Sequence, residues 1–244
     1  MKEIKFYFDL ETEPALVRTW RKWKQNVVWK ERDGYVWSFS GCFNDGKIFH
    51  YNLTDFSEYK KDKFSEKALA KKLWECFNKA DIVIAHNGNA FDIGRANALF
   101  AKYDLGVPSP YKKVDTLLIA RKNFDFFSNS LNDLAEYLGI GLKAETGGYS
   151  LWKGCENEDK KSIRTMGIYN NQDVWLLREV YKKLLPFIPN HPNIGIIIGE
   201  RSVCPSCGSK HLQSRGIRYG KRSWFCVDCR SWHSSALKDN SQIR

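Results

Sequence analysis

The chain is built around Ile4-Lys5-Phe6-Tyr7-Phe8-Asp9-Leu10-Glu11-Thr12, an apolar run that ends in two carboxylates one residue apart. Because successive side chains of a β-strand alternate faces, Asp9 and Glu11 project together while Leu10 turns towards the core. Two adjacent carboxylates repel each other unless a cation lies between them, and Mg2+ prefers such oxygen ligands. An exposed acidic edge is the alternative, and Asp-x-Glu by itself is too common to decide between the two.

The composition predicts a globular protein with one main domain and a small appendage. The chain has 244 residues, of which 43% are hydrophobic and 27% are charged. No stretch is long and apolar enough to predict a membrane span. The first predicted strand begins almost at Met1, which leaves no room for a secretory leader, so we expect a cytoplasmic protein.

The formal net charge of +11 is concentrated near the C-terminus. Residues 201–244 carry nine Lys and Arg against two acidic residues, a net of +7, which leaves +4 for residues 1–200. A basic segment of this kind favours a polyanionic partner such as nucleic acid. Four of the seven cysteines form two Cys-x-x-Cys pairs in the same segment, which favours metal binding over disulfide bonds.

The periodicity of the apolar residues predicts an α/β protein. Two alternating runs, Tyr35–Asn44 and Lys47–Asn52, flank Asn44-Asp45-Gly46 and predict a β-hairpin. The later elements are expected at Ser65–Ala80 (helix), Asp81–His86 (buried strand), Asp92–Tyr103 (helix), Val114–Ala120 (strand or strand–helix junction), Leu131–Leu138 (short helix) and Asp159–Leu185 (the longest helix). Residues 139–159 are rich in glycine and charge and are expected to form a mobile loop. This order predicts a mixed sheet flanked by helices.

Residues 13–33 interleave tryptophans with basic side chains. Aromatic rings stack on bases and cations hold phosphates, so the stretch is a candidate nucleic-acid contact. An amphipathic segment whose tryptophans pack on the sheet is an equal alternative. The side chains in question are Trp20, Trp23, Trp29, Arg18, Arg21, Lys22, Lys24, Lys30 and Arg32.

Acidic residues in three separate elements form a candidate metal centre. Asp9 and Glu11 lie on the first strand, and Asp92 stands where a buried strand gives way to a helix. Tyr169 and Asp173 are four residues apart on the longest predicted helix and therefore share one face. Four converging acids would hold two Mg2+ or Mn2+ ions roughly 4 Å apart, an arrangement that serves in-line phosphoryl transfer. Tyr169 would then position the attacking water or the scissile phosphate.

Three motifs carry a resemblance to a known family: Phe8-Asp9-Leu10-Glu11-Thr12, His86-Asn87-Gly88-Asn89-Ala90-Phe91-Asp92 and Tyr169-Asn170-Asn171-Gln172-Asp173. Over roughly residues 1–186 the chain resembles the DEDD, or DnaQ-like, 3'-to-5' exonuclease superfamily of ribonuclease H-like fold, in the subgroup whose third motif is Tyr-x-x-x-Asp. The resemblance implies that Tyr169 is the fifth catalytic residue beside four metal ligands. Those ligands are Asp9, Glu11, Asp92 and Asp173.

The same motifs contain candidate substrate contacts. Asn87 lies five residues before the second-motif aspartate, as in the proofreading domains of family B polymerases, and is a candidate contact to a single strand near its 3' end. Thr12 and Phe91 are further candidate substrate contacts. His86, at the end of a buried strand, is better explained as a structural histidine. Asp115 is interpreted as a structural acid or one that supports the ligands, and stands outside the ligand set.

The C-terminal segment predicts a zinc site. Cys204-Pro205-Ser206-Cys207, which Gly208 follows, is separated by eighteen residues from Cys226-Val227-Asp228-Cys229. Four thiolates at this spacing close a tetrahedral structural Zn2+ site, and the ion stabilises a unit too small to build its own core. The segment resembles zinc ribbons of transposase-like and phage nucleic-acid proteins. Its basic and aromatic residues favour nucleic-acid binding, and protein docking is the alternative.

The whole chain is similar to exonuclease proteins encoded by tailed phages, for which the compartment would be the host cytoplasm. We therefore expect a two-metal 3'-to-5' exonuclease that hydrolyses single-stranded DNA or frayed 3' ends to nucleoside 5'-monophosphates, with a replicative polymerase or other replication protein as a candidate partner. The alternatives are an RNA exonuclease of the same fold and a nucleic-acid-binding adaptor with a non-catalytic scaffold. The expected organisation is a nuclease domain (1–188), a linker (189–200) and a zinc ribbon (201–244).

Overall fold

A five-stranded sheet forms the centre of the molecule, which the computed structural model describes over residues 2–23, 26–142 and 147–236. The strands are β1 (Lys5–Glu13), β4 (Tyr35–Phe43), β5 (Phe49–Asn52), β6 (Ile82–Ala85) and β7 (Lys112–Asp115). Their order in the sheet is β5-β4-β1-β6-β7. Strands β1, β4 and β5 pair antiparallel, whereas β6 and β7 are parallel to β1 and to each other. The predicted mixed sheet and hairpin are confirmed.

Strand β1 occupies the middle of this sheet because its side chains supply apolar contacts to both faces. Phe6 and Phe8 belong to a buried cluster with Phe77, with ring centroids 5.8 Å and 5.0 Å from the Phe77 centroid. Tyr7 points to the opposite face, where it contacts Tyr181 at 5.6 Å between ring centroids. Burying each such ring stabilises the fold by about 1.5–3 kcal/mol.

Helices cover both faces of the sheet. They are α1 (Lys67–Lys79), α2 (Asp92–Lys102), α3 (Thr116–Asn123), α4 (Leu131–Tyr137), α5 (Ser150–Glu156), α6 (Lys160–Leu184) and α7 (Ile194–Ile198), with short 3-10 turns at Leu53–Asp55, Ser57–Lys60 and Leu185–Phe187. Helices α1 and α2 pack on the face of Phe6 and Phe8, and α6 packs on the face of Tyr7. Alternation along β1 therefore turns Asp9 and Glu11 towards α6. No helix of the described segments is long and apolar enough to cross a membrane.

The expected mobile loop at residues 139–159 was wrong in part, because the segment contains helix α5. Leu151 and Cys155 lie four residues apart on α5 and are both buried. Trp152 packs against the same core. These apolar side chains dock α5 on α6. The surrounding glycines and charged residues led to the prediction of a loop in place of this helix. Residues 143–146 of the expected loop lie outside the described residues.

A separate two-stranded sheet, β2 (Leu16–Arg18) paired antiparallel with β3 (Trp29–Arg32), projects between β1 and β4. Residues 16–32, with the exception of Lys24 and Gln25, which lie outside the described residues, are called the tryptophan arm below. Its tryptophans do not pack on the central sheet. Trp20 is 85% exposed, Trp23 73% and Trp29 65%. The packing alternative considered for this stretch is therefore wrong.

The C-terminal unit is a three-stranded antiparallel sheet of β8 (Leu212–Arg218), β9 (Lys221–Cys226) and β10 (Trp232–Ala236) in the order β10-β9-β8. Helix α7 connects it to the unit of the five-stranded sheet: Ile194 is buried, and its N–H donates to the Pro205 carbonyl at 2.8 Å. The Tyr181 hydroxyl and His191 Nε2 are hydrogen-bonded at 2.7 Å. These contacts join the two units around α6. The domain limits stay a prediction.

Candidate active site and zinc site

Three of the predicted ligands meet at one point beside the central strand. Oxygen atoms of Asp9, Glu11 and Asp173 all lie within 4.8 Å of one another. Asp9 and Glu11 share the α6-facing side of β1, and Asp173 projects from α6 across it. Glu11 and Asp173 are buried and Asp9 is partly exposed. Clustered hard oxygen donors of this kind fit a divalent ion such as Mg2+ or Mn2+.

Asp92, the fourth predicted ligand, lies beside this cluster at the first residue of α2. Its Oδ1 accepts a hydrogen bond of 3.2 Å from the N–H of Leu10, the residue of β1 that stands between Asp9 and Glu11. The Asp92 carboxylate therefore lies against β1. Burial, more than any other influence, raises the pKa of Asp92 to about 6. A carboxylate held out of water in this way gains most from a nearby cation. The group of three mutually close acids does not include it.

Asn170 orients Asp9, a role that sequence reasoning missed. Its Nδ2 donates to Asp9 Oδ2 at 2.7 Å and also lies 3.3 Å from the Asp9 carbonyl oxygen. Asn170 is fully buried, three residues before Asp173 on α6, so both face β1. A polar residue at that spacing on the buried face of a helix was the available signal. The hydrogen bond fixes which way the carboxylate points.

Tyr169 precedes Asp173 by one helical turn and is buried except for a small part of its surface. Its ring makes an edge contact with Trp152 of α5, with centroids 6.2 Å apart. The helix missed from the sequence therefore supports the predicted catalytic tyrosine. The role of the Tyr169 hydroxyl stays a prediction.

Asp115 organises the loop that carries the second motif. Its Oδ1 accepts from the Asn87 N–H at 3.0 Å, and its Oδ2 accepts from the Asn89 N–H at 3.0 Å. The same side chain caps α3 by accepting from the Leu117 and Leu118 N–H groups at 3.0 and 3.3 Å. The Asp115 carboxylate is buried, although Asn87 and Asn89 on the loop are exposed. Its contacts are those of a structural acid.

The remaining second-motif residues divide into buried and exposed groups. His86 Nδ1 is 2.9 Å from the Thr116 hydroxyl, and its Nε2 is 3.0 Å from the Asn129 carbonyl oxygen, as expected for a structural histidine. Asn87 is exposed in a left-handed conformation (φ 63°). Phe91 is 41% exposed. Gly88 packs so closely that a Cβ would lie 2.4 Å from the Ala85 Cβ.

Thr12, the third candidate substrate contact, is partly exposed one residue after Glu11. The pairing of β1 with β4 shifts register between Glu11 and Thr12. This irregularity redirects the strand at the point where it leaves the acid cluster. Thr12, Asn87 and Phe91 thus all reach the surface, and their contact with substrate stays a prediction.

The four ribbon cysteines have the spacing of a tetrahedral zinc site. The Sγ atoms of Cys204 and Cys229 are 3.6 Å apart, and those of Cys207 and Cys226 are 3.7 Å apart. Four sulfurs around one Zn2+ at about 2.3 Å would be separated by about 3.8 Å, close to both distances. All four Sγ atoms lie within 4.8 Å of one another. His233 Nε2 is 3.2 Å from the Cys204 sulfur and is placed to stabilise a thiolate there.

The mixed sheet has the strand order β5-β4-β1-β6-β7, and acids from its central strand meet an acid from the helix across it. This fold and this acidic centre are those of a ribonuclease H-like nuclease. The chain belongs to the RNase H superfamily: the family model RNase_H_2, described as RNase_H superfamily, matches residues 28–185. Comparison with curated proteins gave no match.

Among solved structures, the chain is similar to the family B DNA polymerase from the hyperthermophilic archaeon Pyrobaculum calidifontis, with a TM-score of 0.53 and 19% identity. The match covers 76% of this chain and 25% of the polymerase chain. At this identity the likeness concerns the fold. The chain spans about a quarter of the length of the polymerase that it resembles.

Proposed function

We propose that the protein is a metal-dependent 3'-to-5' exonuclease that hydrolyses a single strand, or a frayed 3' end, to nucleoside 5'-monophosphates. The observation that carries the proposal is the cluster of Asp9, Glu11 and Asp173, with Asp92 buried beside it. The resemblance of the three motifs to the DEDD exonucleases supports the direction of hydrolysis. The RNase H superfamily supports nuclease chemistry.

The acid cluster would hold Mg2+ or Mn2+, which when bound supplies an activated water and stabilises the leaving oxygen. Asn170 keeps the Asp9 carboxylate in one orientation through its 2.7 Å hydrogen bond, so a ligand oxygen is already directed before substrate arrives. Asp173 and Glu11 are buried, so bulk solvent has little access to the cluster from their side. Tyr169, held by Trp152, would position the attacking water or the scissile phosphate.

The end of the strand would be bound by the exposed residues around the cluster. Asn87 projects from a loop whose backbone Asp115 holds, so its amide is presented in a defined place. Phe91 offers a ring on which the terminal base can stack. Thr12 lies where β1 leaves the acids. We assign these three residues to substrate binding.

We propose DNA as the preferred substrate, supported by the fold similarity to a DNA polymerase. That similarity also supports a replicative polymerase as a partner, since this chain covers only a quarter of the polymerase's length. The zinc ribbon, residues 201–244, would add affinity for nucleic acid through its basic strands, separate from the nuclease domain (1–188). RNA exonuclease activity is the second candidate, because phosphate-binding acids do not select the sugar.

The test is hydrolysis of matched 5'-labelled DNA and RNA 20-mers with Mg2+ or Mn2+. We expect a ladder that shortens from the 3' end, with DNA degraded faster. Asp9→Asn and Asp173→Asn should abolish the ladder by removing ligands. Asp159→Asn is the matched control, because Asp159 is the exposed N-cap of α6 and asparagine caps equally well. A wild-type protein that leaves both strands intact, or an Asp9→Asn variant of full activity, contradicts the proposal.

A further inference from the structure

The tryptophan arm exposes aromatic surface that a globular protein normally buries. Both of its strands are open to solvent, with Leu16, Arg18 and Trp29 all exposed. Trp20 and Trp23 follow β2 and are exposed even more fully. Large rings left in water cost free energy unless a ligand covers them. The acid cluster and the zinc site make no use of this arm.

The charges of the arm match a polyanion. Residues 18–32 contain six Lys and Arg against the single acid Glu31. Three of these cations have acidic partners: Arg18 pairs with Glu31, Lys30 with Asp33 and Arg32 with Glu156. Lys22 Nζ lies 5.2 Å from the centre of the Trp23 ring, so a cation and an aromatic face occur side by side. Cations next to exposed rings are how proteins bind single strands without regard to sequence: the cations hold phosphates and the rings stack on bases.

The base of the arm is fixed to the body of the protein. Arg32 pairs with Glu156 of α5 at 2.6 Å, and its guanidinium lies 4.5 Å from the centre of the Phe64 ring. On the other side, Gly34 packs so tightly that a Cβ would meet the Glu13 carbonyl oxygen at 2.7 Å. The arm therefore starts from a defined position at the end of β1, the strand that carries Asp9 and Glu11.

The length of chain between the acids and the arm limits how far from the acids the arm can begin. Leu16 is five residues beyond Glu11, a reach of at most about 17 Å. At the roughly 3.4 Å per nucleotide of a stacked strand, this corresponds to about five nucleotides. A trinucleotide whose 3' end lies at the acids extends only about 10 Å from them, whereas a 20-mer is long enough to meet the arm anywhere within this reach.

We propose that the tryptophan arm binds the single strand several nucleotides upstream of the 3' end that the acid cluster hydrolyses, by stacking on Trp20 and Trp23 and by phosphate contacts from Arg21 and Lys22. This assignment rests on the proposed nuclease function for the place of the 3' end. Its binding step stands apart from hydrolysis. The cations between the rings favour a nucleic-acid strand over a protein partner, whose interface core is depleted of charge.

The kinetic experiment compares a 3'-hydroxyl trinucleotide with a 20-mer in the full-length protein. For Trp20→Ala/Trp23→Ala we expect KM for the 20-mer to rise at least 10-fold with kcat unchanged, since removal of one stacked base weakens binding by about 5- to 150-fold. Values for the trinucleotide should stay within twofold of wild type. Trp20→Phe/Trp23→Phe should restore most of the affinity, because the rings remain. Val107→Ala, another exposed apolar residue, is the control.

The binding experiment does not depend on activity. Binding of labelled dT20 and rU20 to the Trp20→Ala/Trp23→Ala variant and to the wild type is measured in EDTA by fluorescence anisotropy, over a range of salt concentrations. Arg21→Ala/Lys22→Ala should lower the salt slope by up to about 1.4, or about 0.7 for each phosphate that is no longer neutralised. Equal affinity of the Trp20→Ala/Trp23→Ala variant and wild type overturns the proposal, even if the protein is a nuclease.

The last experiment uses anionic vesicles that contain phosphatidylserine, because exposed tryptophans beside cations also suit a lipid surface. Tryptophan emission should shift and quench with the 20-mer and stay unchanged with vesicles. A response to vesicles and none to either oligonucleotide overturns the proposal. A wild-type protein that binds the 20-mer through the arm but does not hydrolyse it supports this inference while contradicting the proposed nuclease function.

Discussion

Replacing Asp115 with alanine should destabilise the protein and disorganise the loop of the second motif together. The carboxylate accepts four backbone N–H groups, two from the loop at Asn87 and Asn89 and two from the first turn of α3. One side chain therefore joins the loop to the helix. Alanine removes all four of these hydrogen bonds at once.

The magnitude follows from these hydrogen bonds. Loss of the α3 cap costs about 0.5–2 kcal/mol. Each of the two loop N–H groups loses a bond to a charged acceptor and costs about 1 kcal/mol, the low end of the range, because Asn87 and Asn89 are exposed enough for water to replace part of the bond. The total is about 2.5–4 kcal/mol for Asp115→Ala. Asp115→Asn keeps one acceptor oxygen but turns an amide donor towards an N–H, so about 1–2 kcal/mol is expected.

The assay is urea unfolding of the zinc-loaded protein, followed by fluorescence, with Asp159→Ala as the matched control. Asp159 also caps a helix, because it accepts a hydrogen bond of 2.9 Å from the Ser162 N–H of α6. Unlike Asp115, it is exposed, and this bond joins it to its own helix and not to a separate loop. That control should lose about 1 kcal/mol. Activity of Asp115→Asn should fall further than its stability explains, because Asn87 loses its support. A loss for Asp115→Ala no larger than for Asp159→Ala refutes the reasoning.

Three further outcomes are expected. Asn170→Ala should lower kcat and metal affinity about 10- to 100-fold, measured by metal titration of activity, while Asn171→Ala tests whether any neighbouring amide would do the same. Burial lowers the pKa of His191 to about 4, so the native state favours the neutral ring. The free energy of unfolding should therefore fall by at most about 3 kcal/mol as the pH is lowered from 6.5 towards 4. His191→Gln should flatten this dependence of stability on pH. Burial raises the pKa of Cys76 and Cys155 to about 12. When a chelator is added to the folded protein, only the four ribbon thiols should therefore react with a thiol reagent. Rapid reaction of all seven cysteines before unfolding would contradict this.

Local sequence patterns were enough to place the predicted metal ligands on shared faces of their elements. The two-residue period of β1 put Asp9 and Glu11 together, and the helical period put Asp173 one turn after Tyr169. The same patterns predicted the mixed sheet and a long helix at Asp159–Leu185, and the structure confirms both, with the helix at Lys160–Leu184. The Cys-x-x-Cys spacing predicted a four-cysteine cluster because each pair brings two sulfurs together within one turn of chain.

Features that depend on packing between distant elements could not be read in this way. Helix α5 is only seven residues long and is stabilised by docking Leu151 and Cys155 on the core, so its local pattern is weak. The exposure of Trp20 follows from the two-stranded arm projecting away from the sheet, whereas its composition fitted a buried segment equally well.

The same distinction holds within the candidate site. Periodicity placed Asp9 on the correct face, but only the packing of α6 against β1 brings Asn170 to 2.7 Å from its carboxylate. In the same way, only the position of α2 sets Asp92 against the Leu10 N–H beside the other acids. Short-range geometry of the backbone determines which side chains point together, and the burial of apolar surface between elements far apart in the chain determines how closely they meet.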